Sequence, residues 1–313
     1  MKRLIFLIVL IVFSFNSYAQ IRMGALNIKQ STNKKEVEKN RRNFLNQKTL
    51  FVFPGFFPKT TFENILNEVW DATTFEVVME SEFNDSEVKP GDAIVRYRRI
   101  NTLYDGDLGS TYCLLEFQNI ESTYQIENET KWRSFKVATV FYTPRIITPD
   151  DKKTLVDDPK FEIMNFNAGY LKNHLQTINN ALKKNLSIEV YNSYEKDELE
   201  QLKRKTLYVD NTVLYRINAL SGKEKDAPQI EDLFKDYPYK YEVVDSEYID
   251  KLIFEKESVD FYYLAYNQIN PNKIISVVNG KTGAIIYHEH TGFTYNIKSK
   301  DIKELSNHIK KTK

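Results

Sequence analysis

His288-Glu289-His290 is the best-spaced metal-binding pair in this 313-residue chain. On a strand, residues two apart face the same way, so the two imidazoles could share one ion. No third ligand can be named. Asp150, Asp151, Asp157 and Asp158 are acidic, but nothing in the sequence places them near the histidines. A polar outer strand face, where histidines are ordinary, is the alternative, and no metal is expected. Arg96-Tyr97-Arg98-Arg99 sets Arg96 and Arg98 on one face of a predicted strand. Guanidinium groups match carboxylates bidentately, so this pair could grip a carboxylate or an anionic polymer. Otherwise both are surface partners for the many local acids, a role worth little to stability. Aromatic residues are abundant, with 20 Tyr, 20 Phe and 2 Trp. They crowd into Tyr237-Pro238-Tyr239-Lys240-Tyr241 and into Phe261-Tyr262-Tyr263 with Tyr266. Strand propensity and core filling account for most of them. The Tyr-Pro-Tyr stretch is expected to be exposed, which makes Tyr237 and Tyr239 candidates for stacking on sugars or peptide side chains.

Catalytic signatures are missing. The chain has no Gly-x-Ser-x-Gly, no His-Glu-x-x-His, no phosphate-binding glycine loop and no paired-cysteine motif. Its four histidines are His174, His288, His290 and His308. Cys113, the one cysteine, lies in Tyr112-Cys113-Leu114-Leu115-Glu116-Phe117, where it reads as a small buried hydrophobe rather than a nucleophile. No cofactor is expected.

These residues need elements to hold them. Helical patterns run over Glu36–Leu45, Phe62–Val69, Gly169–Lys184, Asp197–Lys203, Ile230–Tyr237, Ile249–Ile253 and Lys300–Lys311. Leu171, Leu175, Ile178 and Leu182 form one apolar stripe, and Ile302, Leu305 and Ile309 another. Ser246 is the expected N-cap of the helix through Ile249 and Ile253. Strands are predicted at Thr49–Val52, Phe75–Val78, Asp92–Val95, Leu114–Phe117, Phe135–Tyr142, Thr206–Val209, Tyr241–Val244 and Asp260–Tyr266. Lys273–Val278 and Ala284–His288 read as a hairpin around Asn279-Gly280-Lys281-Thr282-Gly283. The proline-bounded polar segment 148–159 reads as a loop.

Four short matches recur in the same order. Gln47-Lys48-Thr49-Leu50-Phe51-Val52 returns as Arg204-Lys205-Thr206-Leu207-Tyr208-Val209. Phe75-Glu76-Val77-Val78 returns as Tyr241-Glu242-Val243-Val244, and Ser81-Glu82-Phe83 as Ser246-Glu247-Tyr248. Asp92-Ala93-Ile94-Val95 corresponds to Asp260-Phe261-Tyr262-Tyr263. The offsets are 157, 166, 165 and 168, nearly constant, which argues for internal duplication. The expected fold is α/β: two tandem mixed-sheet domains of order β-α-β-α-β-β(-α), over residues 20–185 and 186–313.

Tyr241-Glu242-Val243-Val244-Asp245, the Ile249–Ile253 helix, Val259-Asp260-Phe261-Tyr262 and the hairpin Val278–Ile285 carry a resemblance over about a third of the chain. This part resembles the exported domain found at the amino terminus of TolB and in curli-secretion lipoproteins. The cysteine that some of these relatives use for a lipid anchor is absent. The same element order is similar to a thioredoxin fold, but that family's paired cysteines are missing, so its redox chemistry does not carry over. Both likenesses imply a fold, and the first an exported setting, but neither implies an activity.

Composition agrees with a folded, exported protein. With 42% hydrophobic and 28% charged residues, the chain is neither a disordered tail nor a multi-span membrane protein. Its 44 Lys+Arg against 43 Asp+Glu argue against a nucleic-acid binder. Met1–Ala19 has Lys2 and Arg3, then an apolar run from Leu4 to Phe13, then Ser17-Tyr18-Ala19. This reads as a cleavable signal peptide cut after Ala19, leaving no membrane span. The expected function is a non-enzymatic binding or scaffold protein of the bacterial cell envelope, contacting a protein or a glycan. One alternative is a secreted hydrolase acting on glycan or peptide, which needs a deep junction pocket with two close carboxylates. The other is a self-assembling structural subunit.

Overall fold

The computed structural model describes residues 20–23, 34–104, 107–127, 129–144, 163–186, 188, 193–218, 224–255, 260–269, 272–292 and 294–312. The expected signal peptide (1–19) and the loop with its four aspartates (148–159) lie outside the described residues.

The first sheet is built from β1 (Ile21–Met23), β2 (Thr49–Phe53), β3 (Phe75–Met79), β4 (Ala93–Tyr104), β5 (Asp107–Ile126) and β6 (Glu129–Tyr142). Their order is β1-β6-β5-β4-β2-β3. β2 runs parallel to β3 and β4, while β4, β5, β6 and β1 pair antiparallel. Alternation along β2 sends Phe51 and Phe53 to one face and Leu50 and Val52 to the other. The first face is covered by three helices: α1 (Lys34–Leu45), α2 (Lys59–Val69) and α3 (Ala168–Lys184). Phe44 of α1, Phe62, Ile65 and Leu66 of α2, and the predicted stripe of α3 close over Phe51, Phe53, Val95, Leu115 and Phe117.

The second sheet contains β7 (Ser193–Tyr194), β8 (Leu207–Asp210), β11 (Tyr241–Val244), β12 (Tyr262–Ile269), β13 (Asn272–Asn279) and β14 (Ile285–Thr291). A separate two-stranded pair, β9 (Arg216–Ile217) with β10 (Glu224–Lys225), lies in the β8–β11 connection. The second sheet has the order β11-β8-β12-β13-β14-β7. Again β8 is parallel to both neighbours and the remaining pairs are antiparallel. Read from the two-residue edge strand, this repeats the first sheet's strand order and directions. The helices α4 (Lys196–Glu200), α5 (Ile230–Phe234) and α7 (Ser299–Lys311) cover one face. On the other face lies α6 (Ser246–Phe254). The chain is therefore mixed α/β with two mixed sheets.

Register tests the sequence matches residue by residue. Thr49 pairs with Phe75 and Ala93, while Leu207 pairs with Tyr241 and Tyr262. The match of Phe75–Val78 with Tyr241–Val244 respects this register. The other two strand matches are displaced by one residue. They set Phe51, which faces helices α1 to α3, against Tyr208, which faces α6. A one-residue displacement puts every side chain on the opposite face. The Ser81/Ser246 match fails differently. In the first unit it leads into a single 3-10 turn, Asp85–Glu87, and in the second into the nine-residue α6. The cap of α6 also corrects the expectation: Asp245 accepts the Tyr248 N–H, and Ser246 is the first helical residue.

Helix α3 belongs to both units. Its Leu171–Leu182 stripe completes the first core, while its other side lies on the second unit. The Tyr170 and Tyr263 rings stack at 5.0 Å. The Asn173 amide donates to Tyr263 at 3.2 Å, and the Thr177 hydroxyl to the Gly283 carbonyl at 2.5 Å. Glycine is required at that crossing. Gly283 has φ +72° and a Cβ there would stand 2.6 Å from the Asn173 carbonyl. Gly169 permits the same closeness at the helix start, where a Cβ would stand 2.5 Å from Asp250 Oδ1. The expected boundary at 185 coincides with the left-handed Asn185 that ends α3, but the contact surface runs through the helix before it.

Candidate functional site

The outer face of the first sheet lacks a helical cover among the described residues. Its apolar part is a small cluster of Val52, Val88, Ile94 and Ile120, with Leu50, Phe83 and Trp132 at its margin. In the second unit α6 and α3 cover the corresponding face. The reason lies in the β3–β4 connection, which spends its residues on a turn where the β11–β12 connection builds a helix.

Polar side chains extend this face across β4, β5 and β6. Arg96 donates Nε and Nη2 to Glu80 and Nη1 to Asp85 at 2.7 Å. Its guanidinium lies between the rings of Phe83, at 4.7 Å, and Trp132, at 5.7 Å. Arg96 thus pins the β3–β4 connection to the sheet, and its donors are engaged. Lys136 pairs with Glu116 at 2.9 Å, and Gln118 and Ser134 join the same network. Lys131 pairs with Glu129 on the exposed β5–β6 hairpin. Arg98 is different. It is exposed, and no carboxylate lies within bonding reach of it among the described residues. A hollow of about 470 Å³ opens beside it, lined by Arg96, Arg98, Tyr124, Thr130, Lys131 and Trp132, with Glu80 and Asp85 at one end. A second hollow of about 430 Å³ lies over β2 and β3, with Leu50, Val78, Phe83 and Ile94 beneath an acidic rim of Glu76, Glu82, Glu87 and Asp92.

The other predicted residues lie elsewhere. Tyr237 is 5% exposed and packs against Phe234, Tyr239 and Tyr241, so it is a core residue rather than an exposed platform. Its neighbour Tyr239 is half-buried against the same core. The expected solvent-facing strand for the histidines is also corrected. His288 is buried at 2% exposure with Nδ1 3.4 Å from the Ser276 hydroxyl, and His290 is half-buried opposite Ile274. No group of three His, Cys, Asp or Glu able to hold a metal occurs among the described residues. Cys113 is buried, and burial pushes its thiol up to about 11, which keeps it protonated. Sequence reading missed Trp132 and Tyr124. The alternation in Glu121–Arg133 around Glu127-Asn128 is the hairpin signal that could have found them.

The junction gathers two carboxylates, Asp210 and Asp250. Asp210 ends β8 and is 1% exposed; it accepts from Tyr170 Oη at 2.6 Å, Ser246 Oγ at 2.8 Å and Thr212 N–H at 2.8 Å. Asp250 accepts the Gly169 N–H at 2.9 Å, tying α6 to the start of α3. Burial pushes the Asp250 carboxyl up to about 6, against the pull of its two backbone donors. A carboxyl raised in the fold stabilises it fully below the unfolded value near 3.8, and that stability is lost as pH rises through 6. Asp250→Asn keeps an acceptor for Gly169 and removes the buried charge. Urea unfolding should show it about 1–2 kcal/mol more stable than the parent at pH 8, and no more stable at pH 4. Equal or lower stability at pH 8 contradicts that account.

Comparison of the chain with family models, with curated proteins and with solved structures finds no match in any of the three.

Proposed function

We propose that this is an exported binding or scaffold protein of the bacterial cell envelope, without catalytic activity, built by internal duplication and specialised on one unit. The observation that carries this reading is the asymmetry between two alike sheets. One face is packed under α6 and α3, while its counterpart is covered by the β3–β4 connection and the β5–β6 hairpin in place of a helix and presents Arg98 beside a hollow. Exposed and without a counter-charge among the described residues, Arg98 is available to pair with an anionic group of a partner. Export rests on Met1–Ala19 and on the resemblance of the second unit to exported domains. Duplication rests on the shared strand order and on the in-register match of β3 with β11. No described helix is long and apolar enough to cross a membrane.

The test is affinity capture from a native envelope fraction, with the parent and Arg98→Glu side by side. The parent should retain one stoichiometric protein or glycan partner that the variant loses. Recovery of none, or equal recovery by both, defeats the proposal. Intact mass of the bait should begin at Gln20.

The hydrolase alternative draws on Asp210 and Asp250, since a carboxyl raised to about 6 suits a general acid. Yet Asp210 is sealed and its oxygens are engaged by three donors, and Asp250 fastens one helix to another. Both act as fasteners of the junction, so Asp250→Asn should leave capture of the partner unchanged.

A further inference from the structure

We infer that Gln20 is a modification site: freed as the first residue by cleavage after Ala19, it closes on its own side chain to pyroglutamate, and the closed ring is the form the fold holds. This rests on the export part of the reading above and adds what becomes of the new amino terminus.

The packing around Gln20 makes an open terminus costly. First residues of a domain are ordinarily loose unless tied down, and this one is tied into the first sheet. Gln20 leads directly into β1, where Ile21 pairs with Val140, Arg22 with Thr139 and Met23 with Ala138. Ile21 joins the first core together with Leu171 and Leu175 of α3. Gln20 itself is 2% exposed, and the Phe141 N–H donates to its carbonyl at 2.8 Å. A free amino terminus has a pKa of about 7.7–8.0 and carries a proton at neutral pH. Enclosing such a charge is costly. Arg22, two residues on and on the same face, already brings one cation to this strand. The side chain adds to the cost. Its Nε2 is buried and makes no hydrogen bond among the described residues, although an amide nitrogen carries two donors to satisfy.

Ring closure removes both costs in one step. The uncharged α-amino nitrogen attacks the side-chain Cδ. The N–Cδ bond forms as the Cδ–Nε2 bond breaks, and Nε2 leaves as ammonia, taking the proton that the amine gives up. The product is a neutral lactam. Nothing is oxidised or reduced, and no co-reactant is consumed. The nitrogen that leaves is the one the fold does not bond, and the charge that vanishes is the one the fold would have to enclose. The main-chain carbonyl takes no part, so its bond from Phe141 survives and β1 keeps its register. A residue this enclosed does not admit a cyclising enzyme. Closure therefore follows the cut and precedes the docking of β1, whether uncatalysed or assisted by an exported cyclase.

The experiment expresses the full chain with its own leader in an exporting bacterium and weighs the exported protein intact. Its mass should equal that of Gln20–Lys313 less one ammonia, and fragmentation of the first peptide should place the loss on Gln20. Chemical sequencing from the amino terminus should be blocked, and pyroglutamyl aminopeptidase acting on the unfolded chain should release the block and expose Ile21. Gln20→Asn, whose side chain is too short to close this ring, should be cut at the same bond and keep its full mass. The same chain with Gln20 released in vitro from a cleavable leader, measured before it closes, should unfold at a urea midpoint lower by roughly 0.3 M or more than the exported protein. A cut after Ala19 with the ammonia retained overturns the closure and leaves the export reading standing. Loss of ammonia from Gln20→Asn as well places the loss elsewhere and also overturns it. Equal midpoints of the open and closed forms show that the fold does not select the ring. A protein that keeps Met1–Ala19, or is cut at another bond, defeats the export reading or its cut site, and the inference falls with it.

Discussion

Asp301→Ala should cost about 3–5 kcal/mol of unfolding free energy, read by urea denaturation at pH 7.5. Lys273 on β13 is fully buried, and its ammonium donates to Asp301 and to the Asn296 carbonyl at 3.0 Å. Asp301 also accepts the Lys298 N–H at 2.7 Å, which ties down the first turn of α7. Removing the carboxylate leaves an ammonium inside the protein with one carbonyl for company and frees a helix-terminal donor. Burial already pulls the Lys273 pKa down despite the carboxylate beside it, so the pair does not repay its own desolvation in full. The double variant Lys273→Met with Asp301→Leu should therefore recover most of the loss. A small effect of Asp301→Ala, or no recovery in the double variant, shows that water reaches the pair.

Acidification should unfold the protein early, and His174 should be a large reason. It lies on α3 at 4% exposure, its ring against Tyr142 and Nδ1 3.3 Å from the phenol. Burial pulls its pKa down to about 3 from 6.5. The contribution is intact above 6.5 and is lost as pH falls towards 3, because the unfolded chain takes the proton first. At one pKa unit per 1.36 kcal/mol, the loss from this residue reaches about 2–3 kcal/mol at pH 4.5. His174→Gln, which cannot take the proton, should show a stability difference from the parent that shrinks or reverses by that amount between pH 7.5 and 4.5. A difference independent of pH would mean that the imidazole is protonated inside the fold. Asp250 works in the opposite sense between pH 4 and 6, so the two variants should bend the pH curve in opposite directions.

Much of this architecture was legible in the residues. The stripes Leu171–Leu182 and Ile302–Ile309 sit where a period of 3.6 puts them, and the Asn279–Gly283 turn joins the expected strands. What failed was anything decided by faces. A strand repeats every two residues, so a match displaced by one looks nearly as good in letters and is opposite in space, as with Phe51 and Tyr208. Tyr237 looked exposed because proline and tyrosine suit loops, yet α5 is short enough for its ring to fold back onto Phe234. The β5–β6 hairpin was cut short to its apolar stretch, because beyond Ile120 most of its residues face solvent and lack a core signal. Arg96 and Arg98 read alike. They part company because Glu80 and Asp85 arrive from a neighbouring connection, a fact of tertiary structure that their own spacing does not contain.

The sharing of α3 also fixes an order of events. Every described element of the first unit precedes residue 185, so that unit has its full complement of core residues while the later chain is still emerging. The second unit does not. One side of its sheet is finished only by Tyr170 and its neighbours on a helix made earlier, and the turn at Gly283 must come to rest on that helix's backbone. During vectorial synthesis, which exposes amino-terminal segments first, the first unit thus serves as the template on which the second condenses.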